Sequence, residues 1–133
     1  MPASRLVLII ESDPSALAQM RRVLAGLDAS VVAATDDESL RDAEALLARK
    51  GTTPALIVAR VTLPTGSGIR LLKEASTTFP EARHIVVSHY PRNLLHSVPG
   101  FTDHLSDFLQ EEFTDEQFRR AVERALAKTL RAG

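Results

Sequence analysis

Charged and hydroxyl side chains follow four short apolar runs of this sequence, and these side chains are the candidates for chemistry. Glu11-Ser12-Asp13 follows the first run, Arg60 ends a later run, Ser88 ends another, and Glu111-Glu112 follows a weak one. Arg60 remains protonated at accessible pH, so it cannot act as a nucleophile. Its guanidinium can instead pair with carboxylates at the same edge of the fold.

Other reactive arrangements find little support in the sequence. Ser12 and Ser88 have no histidine or lysine clearly placed to activate them as nucleophiles. The Gly66-x-Gly68 pair lacks the longer glycine fingerprint and the lysine of a phosphate loop. The histidines show no metal-ligand spacing, and there is no cysteine; they are His84, His89, His96 and His104.

The composition is that of an ordinary globular domain. The 133 residues are 44% hydrophobic and 25% charged, which predicts one domain over residues 1–133 with a real core. The net charge of −1 gives no overall electrostatic attraction to nucleic acid or to an anionic membrane. The apolar runs are too short to span a bilayer, and the lack of cysteine suits a reducing cytoplasm. We therefore expect a cytoplasmic protein that binds neither nucleic acid nor membrane.

Short apolar runs alternate with helical patterns five times. Runs without polar alternation are typical of parallel strands that are covered on both faces. Such strand–helix alternation predicts a parallel sheet whose ligand crevice lies at the carboxyl ends of the strands. The runs are Leu6–Ile10, Val31–Ala34, Leu56–Ala59, Ile85–Val87 and a weak one near Asp107–Gln110.

The helices between the runs have readable boundaries. Asp13 is expected to cap the first helix, with Pro14 at its first position, and Gly51 to end the second. Capping boxes are expected at Thr35-x-x-Glu38 and Thr114-x-x-Gln117. The last helix has an apolar face of Phe118, Ala121, Val122, Ala125, Leu126 and Thr129.

Three stretches of the sequence carry a more specific pattern. They are VLIIESDP, then VARVTLPTGSG with its Leu-Pro and Gly-x-Gly, and DFLQEEFTDEQF leading into the last helix. Together they resemble the receiver domain of bacterial two-component response regulators, over about residues 5–130. The resemblance implies an α/β, flavodoxin-like (CheY-like) three-layer sandwich, with a five-stranded parallel sheet of order 2-1-3-4-5 and helices on both faces. Pro91 and Pro99 would leave room for only a short fourth helix.

Transferred position by position, the resemblance also implies a degenerate phosphorylation site. A working receiver holds Mg²⁺ with paired carboxylates after the first strand, and an aspartate ending the third strand accepts the phosphoryl group. Here Glu11 matches the first carboxylate, and Ser12 replaces the second. Arg60 stands at the phosphoacceptor position, and Ser88 keeps the hydroxyl that ends the fourth strand. Glu111 stands at the position of the lysine that follows the fifth strand.

These departures predict where the guanidinium points. In the receiver pattern, an anion at the third strand faces a cation at the fifth. Here the charges are exchanged, so we expect Arg60 to turn into the crevice and pair with Glu111 first, or with Glu11 or Asp13. The simpler interpretation is that Arg60 extends to solvent at the rim.

The resemblance favours a pseudo-receiver that acts by protein–protein contact in bacterial signalling or protein localisation, without phosphorylation. It would be no enzyme and would need no cofactor or metal; its partner would be a signalling or output protein, with a homodimer also possible. The expected partner face consists of Tyr90, Leu94, Leu95, Phe108, Arg120, Arg124 and Lys128.

The sequence leaves three alternatives open. The crevice could serve a small-molecule sensor or an enzyme, although the acidic Glu11-Ser12-Asp13 segment is poorly suited to an anion. The chain could be a receiver that is modified elsewhere, for example at Ser88 by a kinase. The basic stripe that Arg120, Arg124 and Lys128 form on the last helix could also be a solvated face that pairs with Glu116 and Glu123.

Overall fold

Five parallel strands form the central sheet of the computed structural model, which describes residues 5–64, 66–88 and 106–132. The strands lie in the order β2-β1-β3-β6-β7. Two short strands, β4 and β5, form a separate antiparallel hairpin, so the predicted order 2-1-3-4-5 is confirmed when they are set aside. The bounds are β1 Leu6–Ile10, β2 Ser30–Ala34, β3 Leu56–Arg60, β4 Thr62–Leu63, β5 Gly66–Ser67, β6 Arg83–Ser88 and β7 Ser106–Gln110.

The continuous apolar runs of the sequence are the buried interior of this sheet. β1 and β3 are buried along their whole lengths except at Arg60, the last residue of β3, which is half-buried. Burial on both faces explains why these strands show no alternation of apolar and polar residues. The weak run near residue 107 is also a strand, β7, and it pairs with β6 at the edge of the sheet.

In the part of the chain that the structure describes, two helices cover each face of the sheet. The helices are α1 Pro14–Gly26, α2 Asp37–Lys50, α3 Gly68–Thr78 and α4 Asp115–Ala132. α1 and α4 pack on one face and α2 and α3 on the other, which gives two separate apolar cores and confirms the three-layer prediction. The short helix predicted between Pro91 and Pro99 lies outside the described residues.

Most helix boundaries follow the capping signals. The Asp13 carboxylate accepts hydrogen bonds from the amides of the first turn of α1, as predicted. The amide of Thr114 donates to the side-chain oxygen of Gln117, and the amide of Gln117 donates back to the Thr114 hydroxyl. Gly51 ends α2 with a positive φ of 64°, a conformation that glycine adopts without steric cost.

The capping box of α2 corrects the sequence prediction by one residue. The box is formed by Asp36 and Ser39, whose side chains each accept the other's backbone amide at 2.9 and 3.0 Å, and not by Thr35 and Glu38. The carboxylate of Asp36 is as good a cap as a hydroxyl. Hydrogen bonds from the Ser39 amide and hydroxyl hold the pKa of Asp36 below its usual value.

α4 buries the face that its sequence predicts. The buried residues are Phe118, Ala121, Val122, Ala125 and Leu126, while the side chain of Thr129 lies outside the described part of the chain. Among the described residues, no helix combines the length and apolar character needed to cross a membrane.

Candidate functional site

A cavity of about 570 Å³ opens at the carboxyl ends of β1, β3 and β7. Its polar lining includes Glu11, Ser12, Asp13, Arg60, Glu111 and Glu112, so the structure brings together most of the side chains singled out in the sequence. Ser88, at the end of β6, is buried and is only 3% exposed. A kinase could not reach its hydroxyl in this conformation, so the structure gives no support to modification at Ser88.

Arg60 forms ion pairs with two glutamates in this cavity. Its Nε donates to both carboxylate oxygens of Glu11, at 2.7 and 2.8 Å, and its Nη2 contacts Oε1 of Glu111. The exposed fractions of the three side chains are 12% for Arg60, 1% for Glu11 and 9% for Glu111. The predicted inward orientation is confirmed, and the interpretation that Arg60 extends to solvent is wrong. Below, these three residues are called the Arg60 triad.

The Glu11 carboxylate is fully occupied by these and two further contacts. Its Oε2 also accepts the backbone amides of Ser12 and Asp13, each at 2.9 Å. With the two contacts to the Arg60 Nε, the carboxylate accepts four hydrogen-bond contacts, which is about the number of its lone-pair sites. Asp13, the third expected partner of Arg60, caps α1 instead.

The triad keeps the guanidinium charged. Burial by itself lowers the pKa of Arg60, but hydrogen bonds from Arg60 to Glu111 and Glu11, together with their charges, outweigh burial and raise it. Because the pKa of Arg60 is higher in the folded state than in the unfolded state, the stabilisation that its charge provides is fully present below the ordinary arginine pKa. This stabilisation is lost only at still higher pH. Arg60 therefore keeps its positive charge throughout the pH range in which proteins are studied.

A close backbone contact fixes the main chain at Arg60. The amide of Gly68, the first residue of α3, donates to the carbonyl of Val61 at 2.8 Å. A Cβ atom at Gly68 would lie 1.6 Å from the Arg60 carbonyl oxygen, so a glycine is required there. In the sequence, Gly68 stands out only as the second glycine of the Gly-x-Gly pair.

The residues at this edge do not fit a Mg²⁺ ion, which a working receiver would hold here. Mg²⁺ demands an octahedron of oxygen ligands. Glu11 is occupied, Ser12 stands in place of a second carboxylate, and the Arg60 guanidinium would repel a cation. Within residues 5–64, 66–88 and 106–132, no group of three or more histidines and acids is arranged to hold a metal.

The described part of the expected partner face is largely engaged in ion pairs. Arg120 is exposed and contacts Glu116 at 3.0 Å, as the solvated-face interpretation predicted. Arg124 contacts Asp107 of β7 at 3.5 Å, a pairing that the sequence did not indicate.

The other members of that face are less exposed or not described. Phe108 is half-buried and packs against the core beneath α2 and α3. The predicted contacts of Tyr90, Leu94 and Leu95, and of the Lys128 side chain, lie outside the described residues.

A second polar contact at the cavity was missed in the sequence. Gln19 of α1 lines the cavity and donates through Nε2 to the carbonyl of Phe113 and to the carboxylate of Asp115. Hydrogen bonds from Gln19 and then from Arg22 hold the pKa of Asp115 below its usual value. More than ninety residues separate these partners, and no local pattern links them.

Solved structures that resemble this chain include receiver domains. No protein-family model matches the sequence, and no curated protein matches it either. The chain superimposes on a CheY-like response regulator receiver domain protein from Methanospirillum hungatei JF-1 with a TM-score of 0.77 and 21% identity, covering 98% of this chain and 100% of that one. The PhyR response regulator receiver domain of Erythrobacter litoralis gives 0.76 and 23%, with 94% and 92% covered.

A third similar structure is a response regulator receiver protein from Sinorhizobium medicae WSM419, with a TM-score of 0.74 and 19% identity, covering 95% of this chain and 97% of that one. In each of these comparisons the overlap extends over nearly the whole of both chains. The strand order and the two helical layers described above thus coincide with those of receiver structures. The chain has the fold of the CheY-like response regulator receiver domain.

Proposed function

We propose that this protein is a pseudo-receiver, a single receiver-like domain that signals through protein–protein contact and does not accept a phosphoryl group. The observation that carries the proposal is Arg60, a guanidinium only 12% exposed at the position where a receiver carries its phosphoacceptor aspartate. An arginine offers no nucleophilic oxygen, and it stays protonated. The receiver fold supports the signalling role.

The charges around Arg60 support the loss of phosphotransfer independently. Receivers neutralise the transferring phosphoryl group with a metal ion and a lysine. Here Glu111 stands at the lysine position and contacts Arg60. Glu11 accepts hydrogen bonds from the Nε of the same guanidinium. The anion and the cation of the receiver pattern have exchanged places, and Arg60 is paired with carboxylates of the same domain.

The remaining features of the proposal follow from this arrangement. Among the described residues that line the crevice, an arginine replaces the phosphoacceptor and no group is arranged to hold a metal, which supports a binding module over an enzyme. A partner protein, or a second copy of the chain, would then bind the surface of the domain without prior phosphorylation. The proposed setting is the bacterial cytoplasm.

Incubation with acetyl phosphate and Mg²⁺ should leave the mass of the protein unchanged. Arg60 replaces the phosphoacceptor aspartate and Ser12 replaces the second metal-binding carboxylate, so no acyl phosphate is expected to form at residue 60. Intact-mass spectrometry measures this directly, with a phosphorylatable receiver treated in parallel as the control. A Mg²⁺-dependent gain of one phosphoryl group would contradict the proposal.

Reversing the charges of Arg120 and Arg124 to glutamate should weaken association with the partner protein. Both side chains are exposed, on the outer surface of α4 next to β7. Because rim charges act mainly on the rate of encounter, the loss should appear first in the association rate and its salt dependence.

The matched control for this charge reversal is Arg41→Glu with Arg49→Glu, two exposed arginines on α2 on the other side of the sheet. The measurement is surface plasmon resonance at several salt concentrations, against a partner recovered by pull-down. Binding that is unchanged by the α4 substitutions across all salt concentrations would assign the contact to another surface, with α1 the first candidate.

A further inference from the structure

The Arg60 triad links segments of the chain that are distant in sequence. Arg60 ends β3, Glu11 directly follows β1, and Glu111 directly follows β7. β1 is the immediate neighbour of β3 in the sheet, whereas β7 is separated from it by β6. One guanidinium therefore connects three strand ends across most of the width of the sheet.

The connection extends from the strands into the loops that line the cavity. The Glu11 carboxylate accepts hydrogen bonds from the amides of Ser12 and Asp13, which lead into α1. The carbonyl of Arg60 lies close to Gly68 at the start of α3. The loop after β7 is held at Glu111 by Arg60, and at Phe113 by Gln19 of α1.

Alternative arrangements of this edge are costly because the three side chains of the triad are largely shielded from solvent. Moving the loop after β1 or the loop after β7 would leave a buried carboxylate without its cation, and an unpaired buried charge is strongly unfavourable. A surface ion pair imposes no such penalty, since water replaces the partner.

We infer that the Arg60 triad is a built-in conformational lock, in which the guanidinium permanently occupies the place of an external cation and holds the loops after β1, β3 and β7 in one arrangement without any ligand. This goes beyond the loss of phosphotransfer, because a chain could lack the phosphoacceptor and still switch its strand-end loops by other means. With the lock in place, the edge presents one fixed surface. Control of signalling then resides in the availability of the partner and not in a change of this edge.

Amide hydrogen exchange on the full chain, in buffer without metal or phosphoryl donor, tests the lock. The reporters are the amides of Ser12 and Asp13, which donate to Glu11, and of Glu111, which donates to the carbonyl of Ser88 at 2.8 Å. In the Arg60→Met variant, all three should exchange roughly tenfold faster or more than in the parent protein. Equal rates in variant and parent would overturn the lock.

A milder variant keeps the test decisive if Arg60→Met does not fold. Glu111→Gln leaves the contact between Arg60 and Glu11 intact, so it should accelerate exchange at residue 111 and leave Ser12 and Asp13 unchanged. An unchanged rate at residue 111 in this variant would overturn the lock.

The matched control is Arg70→Met. Arg70 contacts both oxygens of Asp37, at 2.6 and 2.9 Å, but its side chain is 56% exposed. This substitution should leave all three reporter amides unchanged, and equal acceleration by it would overturn the lock. The outcome is separable from the proposed function, since phosphorylation is read by mass and the lock by exchange in the absence of any donor.

Discussion

Replacing Arg60 with alanine is expected to lower the free energy of unfolding by about 3–5 kcal/mol at neutral pH. The substitution leaves Glu11 and Glu111 as buried carboxylates without their common cation, and they are only 1% and 9% exposed. The cost arises mainly from these stranded charges and much less from the loss of a favourable pair, because a complete buried ion pair adds little net stability over apolar groups.

Chemical denaturation monitored by circular dichroism measures this effect, and Arg70→Ala provides the comparison. Arg70 also contacts both carboxylate oxygens of an aspartate, but both side chains are exposed, so its loss should change the free energy of unfolding far less than the loss of Arg60. Similar losses for the two arginines would mean that the triad is hydrated, and would contradict the argument from burial.

Removing all three charges of the triad together distinguishes the cost of unpaired carboxylates from the loss of the ion pairs themselves. A triple variant with Arg60→Met, Glu11→Gln and Glu111→Gln keeps approximately the same volumes and leaves no unpaired charge. It should therefore be markedly more stable than Arg60→Ala. A double-mutant cycle between Arg60 and Glu111 measures their coupling directly, and a coupling of zero would contradict the exchange of charges between these two positions.

Most of the sheet could be predicted from the sequence because its strands are marked by short continuous apolar runs. β1 coincides with the run Leu6–Ile10, and β3 extends the run Leu56–Ala59 by one residue, to Arg60. Such apolar runs can be stable only when both faces of the sheet are covered, so pattern and topology agree. The cap of α2 was misplaced by one residue because Thr35 and Asp36 are adjacent candidates, and only the backbone conformation distinguishes them.

The triad was only partly predictable, for a geometric reason. Glu111 was the expected partner of Arg60 because it stands at the lysine position, yet β7 lies two strands away from β3. Neighbouring strands are about 4.8 Å apart, so only a side chain as long as arginine can reach past β6. Glu11, on the adjacent strand, was one of three candidates, and nothing local in the sequence ranked it above Asp13.

The contact at Gly68 could not be predicted from the sequence at all. A Gly-x-Gly pair after a strand indicates a turn, and Gly66 with its φ of 144° has the positive φ that such a turn requires. Gly68 is needed for a different reason, the approach of another part of the backbone, and this depends on how the chain folds back on itself.

Gly68→Ala should consequently destabilise the protein by about 3 kcal/mol or more, a large effect for one methyl group. The added Cβ would lie 1.6 Å from the carbonyl oxygen of Arg60 and 2.8 Å from its carbon. Both atoms belong to the backbone, so no side-chain rotation can relieve the overlap. The matched control is Gly26→Ala at the end of α1, where a Cβ meets nothing within 4 Å. That change should be neutral, or stabilising by up to about 1 kcal/mol, because alanine loses less backbone freedom in a helix.

The two glycine variants also test whether the main chain at Arg60 positions its side chain. Relief of the overlap at Gly68 requires the end of β3 to move away from α3, and this movement would displace the guanidinium from the carboxylates of Glu11 and Glu111. Gly68→Ala should therefore accelerate exchange at the amides of Ser12 and Asp13, which report the position of Glu11, whereas Gly26→Ala should not. A Gly68→Ala protein with parental stability and parental exchange would mean that the turn into α3 accommodates a side chain, and that the main-chain contact does not position Arg60.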